Sequence, residues 1–460
     1  MYMSHSRTRN ERIAQGGRMT LRILIHSTHY LDGTGREAES GYIVIHGDRI
    51  AEIGPGDCPH SRSDFDQTID GANRLVMPGL INAHGHAAMS LLRGFADDMP
   101  LHAWLNDRIW PAEAKLSPED IHLGTQLAML EMIETGTTTF TDMYFSMDTV
   151  AEAVLSSGMR AALGRGIVSG EGATLALKEA EALYRAYHGA GGGRISINLA
   201  PHAPYTCSAE TLKEVMALAE KLDVPLQIHV SETRKEVQDS LSEHGVSPIV
   251  YLHQIGLFSH PVTAAHVVHA DDNDLDILAE RGVRVSHNPG SNLKLGSGIA
   301  PLLAMRERGI IVGLGTDGAA SNNKLDLFEE MRLAALLHKG VLENATAIDA
   351  NAALSMATSQ GAKALFLDER VHPDLGTLRV DAPADLILID LTSPRYFPRH
   401  RLLAHAVYSS SGCDVTDVFV AGRALYRNRE FMTIDQEKVR YEAERVGAKF
   451  HTKASFSTPS

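Results

Sequence analysis

The chain has 460 residues, 44% of them apolar and 22% charged, and 43 Lys and Arg stand against 57 Asp and Glu for a formal net charge of -14. This length accommodates a large barrel with an accessory domain, the composition excludes fibrous and disordered classes, and the acidic balance argues against nucleic acid or an anionic membrane as partner. Cys58, Cys207 and Cys413 are too far apart for a paired framework or a C-x-x-C metal site, and no apolar run reaches the roughly 18 residues of a spanning helix or forms a signal-peptide core, so a cytoplasmic protein is expected.

Residues 1–18 are polar, basic and without periodicity, and 1–19 are expected to form a flexible tail. Short alternating runs at 21–25, 41–46 and 49–53, separated by turns such as Gly47-Asp48 and Gly54-Pro55-Gly56, predict antiparallel strands in hairpins. The same pattern returns at 376–380, 384–390, 403–408 and 415–426, the last run folding around Ala421-Gly422. Segments 20–77 and 371–440 are therefore expected to make one small β-sandwich from both chain ends, with 441–460 completing a C-terminal helix and tail.

Between these segments, strand alternates with helix, the signature of an α/β fold with a parallel sheet. Eight strands are predicted, at 80–84, 137–142, 159–165, 195–202, 224–229, 262–266, 283–287 and 310–317, the number that closes a (β/α)8 TIM-type barrel over 78–370. Ser117-Pro118-Glu119-Asp120 predicts a capped helix start, Ser208 predicts another before 209–222, and Asn323-Lys324-Leu325-Asp326 leads into a third.

In barrels of this kind chemistry sits at the carboxyl ends of the strands. The first strand ends in His84-Gly85-His86, whose side chains at i and i+2 leave the same face and can reach one ion. The fifth ends in His229, the sixth in His266 and the eighth in Asp317, while His202 and His287 end the fourth and seventh. Three imidazoles and a carboxylate suit zinc or iron(II), and His84, His86, His229 and Asp317 are assigned as ligands. Such an ion lowers the pKa of its water from about 15.7 to near 7, which predicts hydrolysis. A second metal would call for a bridging lysine near the fourth strand, yet no lysine occurs between Lys178 and Lys213, so one divalent ion per chain is expected. Glu232, three residues after His229, is the best general acid/base candidate, and His266 is placed to hold or accept a proton. His269 is assigned a supporting role.

The stretches P-G-L-I-N-A-H-G-H-A-A-M-S-L-L-R-G from Pro78, H-V-S-E-T from His229, A-H-V-V-H from Ala265, S-H-N-P-G-S-N-L-K-L from Ser286 and G-T-D-G-A-A-S-N-N from Gly315 resemble the amidohydrolase superfamily. Within it they are most similar to the 5-methylthioadenosine/S-adenosylhomocysteine deaminases. The resemblance implies a metal-dependent barrel, zinc before iron(II), and hydrolytic removal of ammonia from purine C6 of adenosine-type nucleosides. It further implies that Glu232 protonates a ring nitrogen while Asp317 and His266 handle the protons of the attacking water. By the same resemblance Glu113 binds ribose hydroxyls, His202 contacts substrate and Arg165 lies on the substrate side. The run Gly172-Ala173-Thr174-Leu175-Ala176-Leu177-Lys178 lacks the second arginine of some relatives, which favours methylthioadenosine or adenosine over S-adenosylhomocysteine. A guanine deaminase or triazine chlorohydrolase activity is the alternative reading, and a small-molecule nucleoside is the expected partner, with self-association left open.

Overall fold

The computed structural model describes residues 21–450; the expected tail 1–19 lies outside the described residues, and of the expected C-terminal segment 441–460 the described part ends the helix Gln436–Gly447 and adds a short turn, Ala448–Phe450. From the N-terminal side come strands β1 (Arg22–Tyr30), β2 (Glu39–His46), β3 (Arg49–Pro55), β4 (Gln67–Asp70) and β5 (Arg74–Pro78). The barrel strands follow as β6 (Leu80–Asn82), β7 (Thr137–Tyr144), β8 (Arg160–Ile167), β9 (Ile195–Pro201), β10 (Leu226–Val230), β11 (Val262–His266), β12 (Arg284–His287) and β13 (Val312–Leu314). The chain then adds β14 (Leu386–Asp390), β15 (Val415–Val420), β16 (Arg423–Arg427) and β17 (Glu430–Phe431).

Strands β6 to β13 pair in parallel in sequence order. The ring is brought round where the Ala83 N–H donates to the Leu314 carbonyl at 2.8 Å and the Asp317 N–H to the His84 carbonyl at 3.0 Å. Gly315 is what allows β6 and β13 to approach there. A Cβ at this position would lie 2.4 Å from Asn288 Oδ1 and 2.8 Å from the His84 backbone N. The expected (β/α)8 barrel is thus the observed one, with Ser117 and Asp120 forming a reciprocal capping box on the helix Pro118–Glu134. Ser208 and Asp326 cap the helices Ala209–Leu222 and Leu327–Val341.

The remaining nine strands form one hydrogen-bonded sheet in which β5 pairs antiparallel with β14, joining the two chain ends. Arg49 also bridges to Pro383, so the early and late strands enclose a shared apolar cluster that includes Ile23, Ile45, Leu386, Leu388 and Phe419. The alternation expected of strands decides which face goes where. Leu386 and Leu388 enter that cluster, whereas Ile387 and Ile389 enter the barrel-side core. A buried Arg160–Asp385 pair, with Nε donating to Oδ2 at 2.9 Å, ties the start of β8 to the loop before β14.

Two expected strands differ. Residues 403–408 are helical within Leu402–Tyr408, because the buried set Leu402, Leu403, Ala406 and Val407 follows helical spacing, and a short apolar run does not distinguish the two periods. Residues 376–380 form no regular strand: Gly376 adopts φ of 80° and packs so tightly that a Cβ would meet the Thr358 carbonyl carbon at 2.7 Å. Among the described residues, no helix is long and apolar enough to cross a membrane.

Candidate metal centre and active site

The carboxyl ends of the barrel strands converge as their polar endings imply. Ligand atoms of His84, His86 and His229 all lie within 4.8 Å of one another, and so do those of His84, His266 and Asp317. Asp317 Oδ1 stands 3.5 Å from His84 Nε2 and 3.3 Å from His86 Nε2, and the Nε2 atoms of His86 and His229 are 3.4 Å apart. The cluster therefore brings together the four expected ligands with His266 as a fifth member.

The surroundings of these side chains fit a cation. His86 Nδ1–H donates to the Met143 carbonyl at 2.8 Å and His229 Nδ1–H to the His202 carbonyl at 2.6 Å, which leaves both Nε2 lone pairs facing the centre. His84 Nε2 is buried and makes no hydrogen bond. Burial lowers the His84 imidazole to about 4 despite the pull of Asp317, and burial with the neighbouring imidazoles holds His229 well below its ordinary value. Neutral imidazoles are the form that binds metal. Burial alone would raise the Asp317 carboxyl, but the imidazoles of His84, His86 and His266 outweigh it and hold the group well below the usual carboxylate range. Ser291 and Ser321 hydroxyls donate to Asp317 Oδ2 at 2.7 and 2.9 Å, fixing the carboxylate plane.

Beside this cluster, Glu232 Oε2 lies 3.9 Å from His266 Nε2, and its Oε1 accepts from Ser297 at 3.1 Å. His266 Nδ1–H donates to Asn292 Oδ1 at 2.8 Å, so Nε2 is the nitrogen turned towards Glu232. Burial raises the Glu232 carboxyl, opposed by His266. His269 instead donates to the Ser297 carbonyl at 2.7 Å, a supporting contact.

His86, His229, Glu232, His266 and Asp317 open onto one cavity of about 680 Å³, lined also by Glu113, His202, Trp104, Trp110, Phe145 and Tyr205. This volume is within the usual range for a drug-sized ligand, roughly 300–1,000 Å³. The segment that carries Glu113 widens into a π-helical turn at Trp104–Ile109 before the short helix Trp110–Glu113, and this places both tryptophans and the carboxylate in the wall. Glu113 is buried, Tyr144 donates to its Oε1 at 2.5 Å, and burial raises its carboxyl to about 7. His202, pushed down to about 4 by burial and the nearby imidazoles, shares a hydrogen bond with Thr206 at 2.9 Å.

Arg165 is placed differently from the other expected site residues. Its Nε donates to Glu179 at 2.7 Å and its guanidinium lies 5.2 Å from the centre of the Phe145 ring, so it stands behind the cavity wall and supports a residue that lines it. Sequence reasoning also missed Tyr144, Asn292, Ser297 and Glu236. The last three lie within or next to quoted motifs, but their roles depend on hydrogen bonds across loops. Tyr144 lies two residues beyond the expected strand 137–142, at the end of the observed one.

The amidohydrolase family profile matches residues 75–425. A 5-methylthioadenosine/S-adenosylhomocysteine deaminase of Desulforudis audaxviator (strain MP104C) is 47% identical over 427 residues, covering 93% of this chain and 98% of that protein. The protein of that name from Syntrophomonas wolfei subsp. wolfei is 46% identical over 433 residues, covering 93% and 99%. Among solved structures, an adenosine deaminase from Xanthomonas campestris with bound zinc superposes with a TM-score of 0.87 at 34% identity, covering 93% of this chain and 98% of that one. Atrazine chlorohydrolase from Arthrobacter aurescens TC1, complexed with zinc, gives 0.84 at 25% identity, covering 92% and 100%. The chain belongs to the amidohydrolase family and, within it, to the group of the 5-methylthioadenosine/S-adenosylhomocysteine deaminases.

Proposed function

We propose that the protein is a hydrolytic deaminase of adenosine-type nucleosides, taking 5'-methylthioadenosine or adenosine to the inosine analogue and ammonia. One observation carries this reading: a single cavity joins the His/Asp cluster and Glu232 to the buried carboxylate of Glu113. A free base or a triazine has no sugar for Glu113 to hold, whereas a carboxylate can accept from two vicinal ribose hydroxyls at once.

His84, His86, His229 and Asp317 would hold one divalent ion, for which zinc is our first assignment, and when bound it supplies an acidified water near neutral pH. The chain's own groups do the rest. Glu232 gives a proton to a ring nitrogen next to C6, which makes that carbon electrophilic as water adds. Asp317 and His266 take up the proton released by the water and return it to the amino group. The C6–N bond then breaks and ammonia leaves, while the remaining proton on the C6 oxygen passes to Glu232, giving a C6 carbonyl beside the protonated ring nitrogen and restoring the acid. Apolar walls that include Trp104 and Phe145 bury the purine and exclude bulk water.

Incubating the zinc-loaded enzyme with methylthioadenosine, adenosine and S-adenosylhomocysteine, while following adenine absorbance and ammonia, tests the reading. Turnover of the first two is expected. Silence with all three would remove it.

A further inference from the structure

The turn that presents Glu232 is held by a second carboxylate with no part in the proton transfers above. Thr233 and Glu236 have the T-x-x-E spacing of a reciprocal helix cap, and the Thr233 hydroxyl does accept from the Glu236 N–H at 3.1 Å. The Glu236 side chain, however, reaches further back than a cap requires. Its Oε1 accepts from the Ser231 N–H at 2.7 Å and its Oε2 from the Glu232 N–H at 2.8 Å. Both residues are buried. Two consecutive N–H groups converge on one carboxylate because Ser231 adopts φ of 51°, a left-handed conformation that a serine rarely takes without outside support. The Ser231 carbonyl in turn accepts from the Val268 and His269 N–H groups at 3.0 and 2.9 Å. The carboxylate thus fixes the loop after β10, and through it the loop after β11 that carries His266.

We infer that Glu236 is a positioning residue: its carboxylate clamps the Ser231 and Glu232 amides and so aims the Glu232 side chain at the reacting base. This rests on the proposed role of Glu232. Glutamine at 236 can accept through only one end, and its amide nitrogen would face an N–H as donor against donor. The backbone of Glu232 then shifts while substrate contacts at Glu113 and His202 persist.

The test compares metal-loaded wild type with Glu236→Gln, Glu232→Gln and the double variant, using methylthioadenosine and measuring kcat, KM and bound metal. Glu236→Gln is expected to keep its metal and a KM within about threefold of wild type while kcat falls about 10²-fold, the scale of an ångström-sized misplacement. The double variant is expected to be no slower than Glu232→Gln alone, since one residue acts through the other. Losses that multiply in full, or a raised KM with unchanged kcat, would overturn the inference. Near-normal turnover of Glu232→Gln is a different result, removing the role of Glu232 itself. Should Glu236→Gln fail to fold, hydrogen exchange of the wild-type enzyme decides: strong protection of the Ser231 and Glu232 amides is expected, and exchange at the rate of an open loop refutes the clamp.

Discussion

Lowering the pH from 8 to 6 isolates the contribution of Glu113 to substrate recognition. Burial raises this carboxyl to about 7. The ionised fraction of such a group falls from about nine-tenths at pH 8 to about one-tenth at pH 6. The protonated form cannot accept from both ribose hydroxyls, so binding through them should weaken by about tenfold, in proportion to the competent fraction. Other titrating groups also alter kcat/KM, and a comparator removes them. The ratio of kcat/KM for adenosine to that for 2',3'-dideoxyadenosine should fall about tenfold from pH 8 to pH 6, because only adenosine has hydroxyls for Glu113 to hold. In Glu113→Gln the same ratio should be flat with pH, and kcat/KM for adenosine should drop about 10- to 100-fold, as expected when a hydrogen bond to a charged group worth about 1.5–3 kcal/mol is lost. A ratio that does not change with pH in wild type, or that changes equally in the variant, refutes the assignment of Glu113 to the sugar.

Glu232→Gln should retain bound metal while turnover falls about 10²–10⁴-fold, checked by elemental analysis beside steady-state kinetics; near-wild-type kcat would remove Glu232 from the chemistry. His86→Ala should lose metal and activity together, and full metal occupancy by elemental analysis would contradict its assignment as a ligand. Asp385→Ala leaves the buried Arg160 guanidinium without its partner and should destabilise the fold by about 3–5 kcal/mol in denaturant titration, with kcat of the folded fraction unchanged. A loss below about 1 kcal/mol would mean that the pair does not help to join barrel and sheet.

The residues that were legible in the sequence are those whose position follows from local periodicity. A strand that runs apolar and stops on a polar residue reports both its own end and the side chain delivered there, so the gathering of His84, His86, His229, His266 and Asp317 at one end of the barrel is readable from the sequence. Capping residues Ser117 and Ser208 were legible for the same local reason. The helix Leu402–Tyr408 was not, since seven residues of mostly apolar character satisfy either period and burial against the rest of the core decided between them. Arg165 shows another limit: an arginine at a strand end is free to turn either way, and here Glu179 on the following helix draws it away from the cavity. Nor does any spacing reveal that Tyr144 donates to Glu113, because the two are joined only when β7 is set beside the π-helical segment.

The non-glycine residues with left-handed backbone include Ser231, His266 and Val267, each at or directly after the end of a barrel strand, and Asp317, three residues after β13. Such conformations cost of order 1–3 kcal/mol each and persist where surrounding bonds over-determine them. The bonds are identifiable. Ser231 is held by Glu236 and by the amides of Val268 and His269, and Asp317 by the His84 carbonyl and two serine hydroxyls. Side chains along a strand alternate across the sheet, so His229 and Glu232, three residues apart, would leave opposite faces unless the chain turned sharply between them. The left-handed residue after His229 is that turn, and it brings Glu232 to the same mouth as the histidine. The strain and the site therefore share one cause, the need to aim ligands and proton-transfer groups from successive strands at a single point.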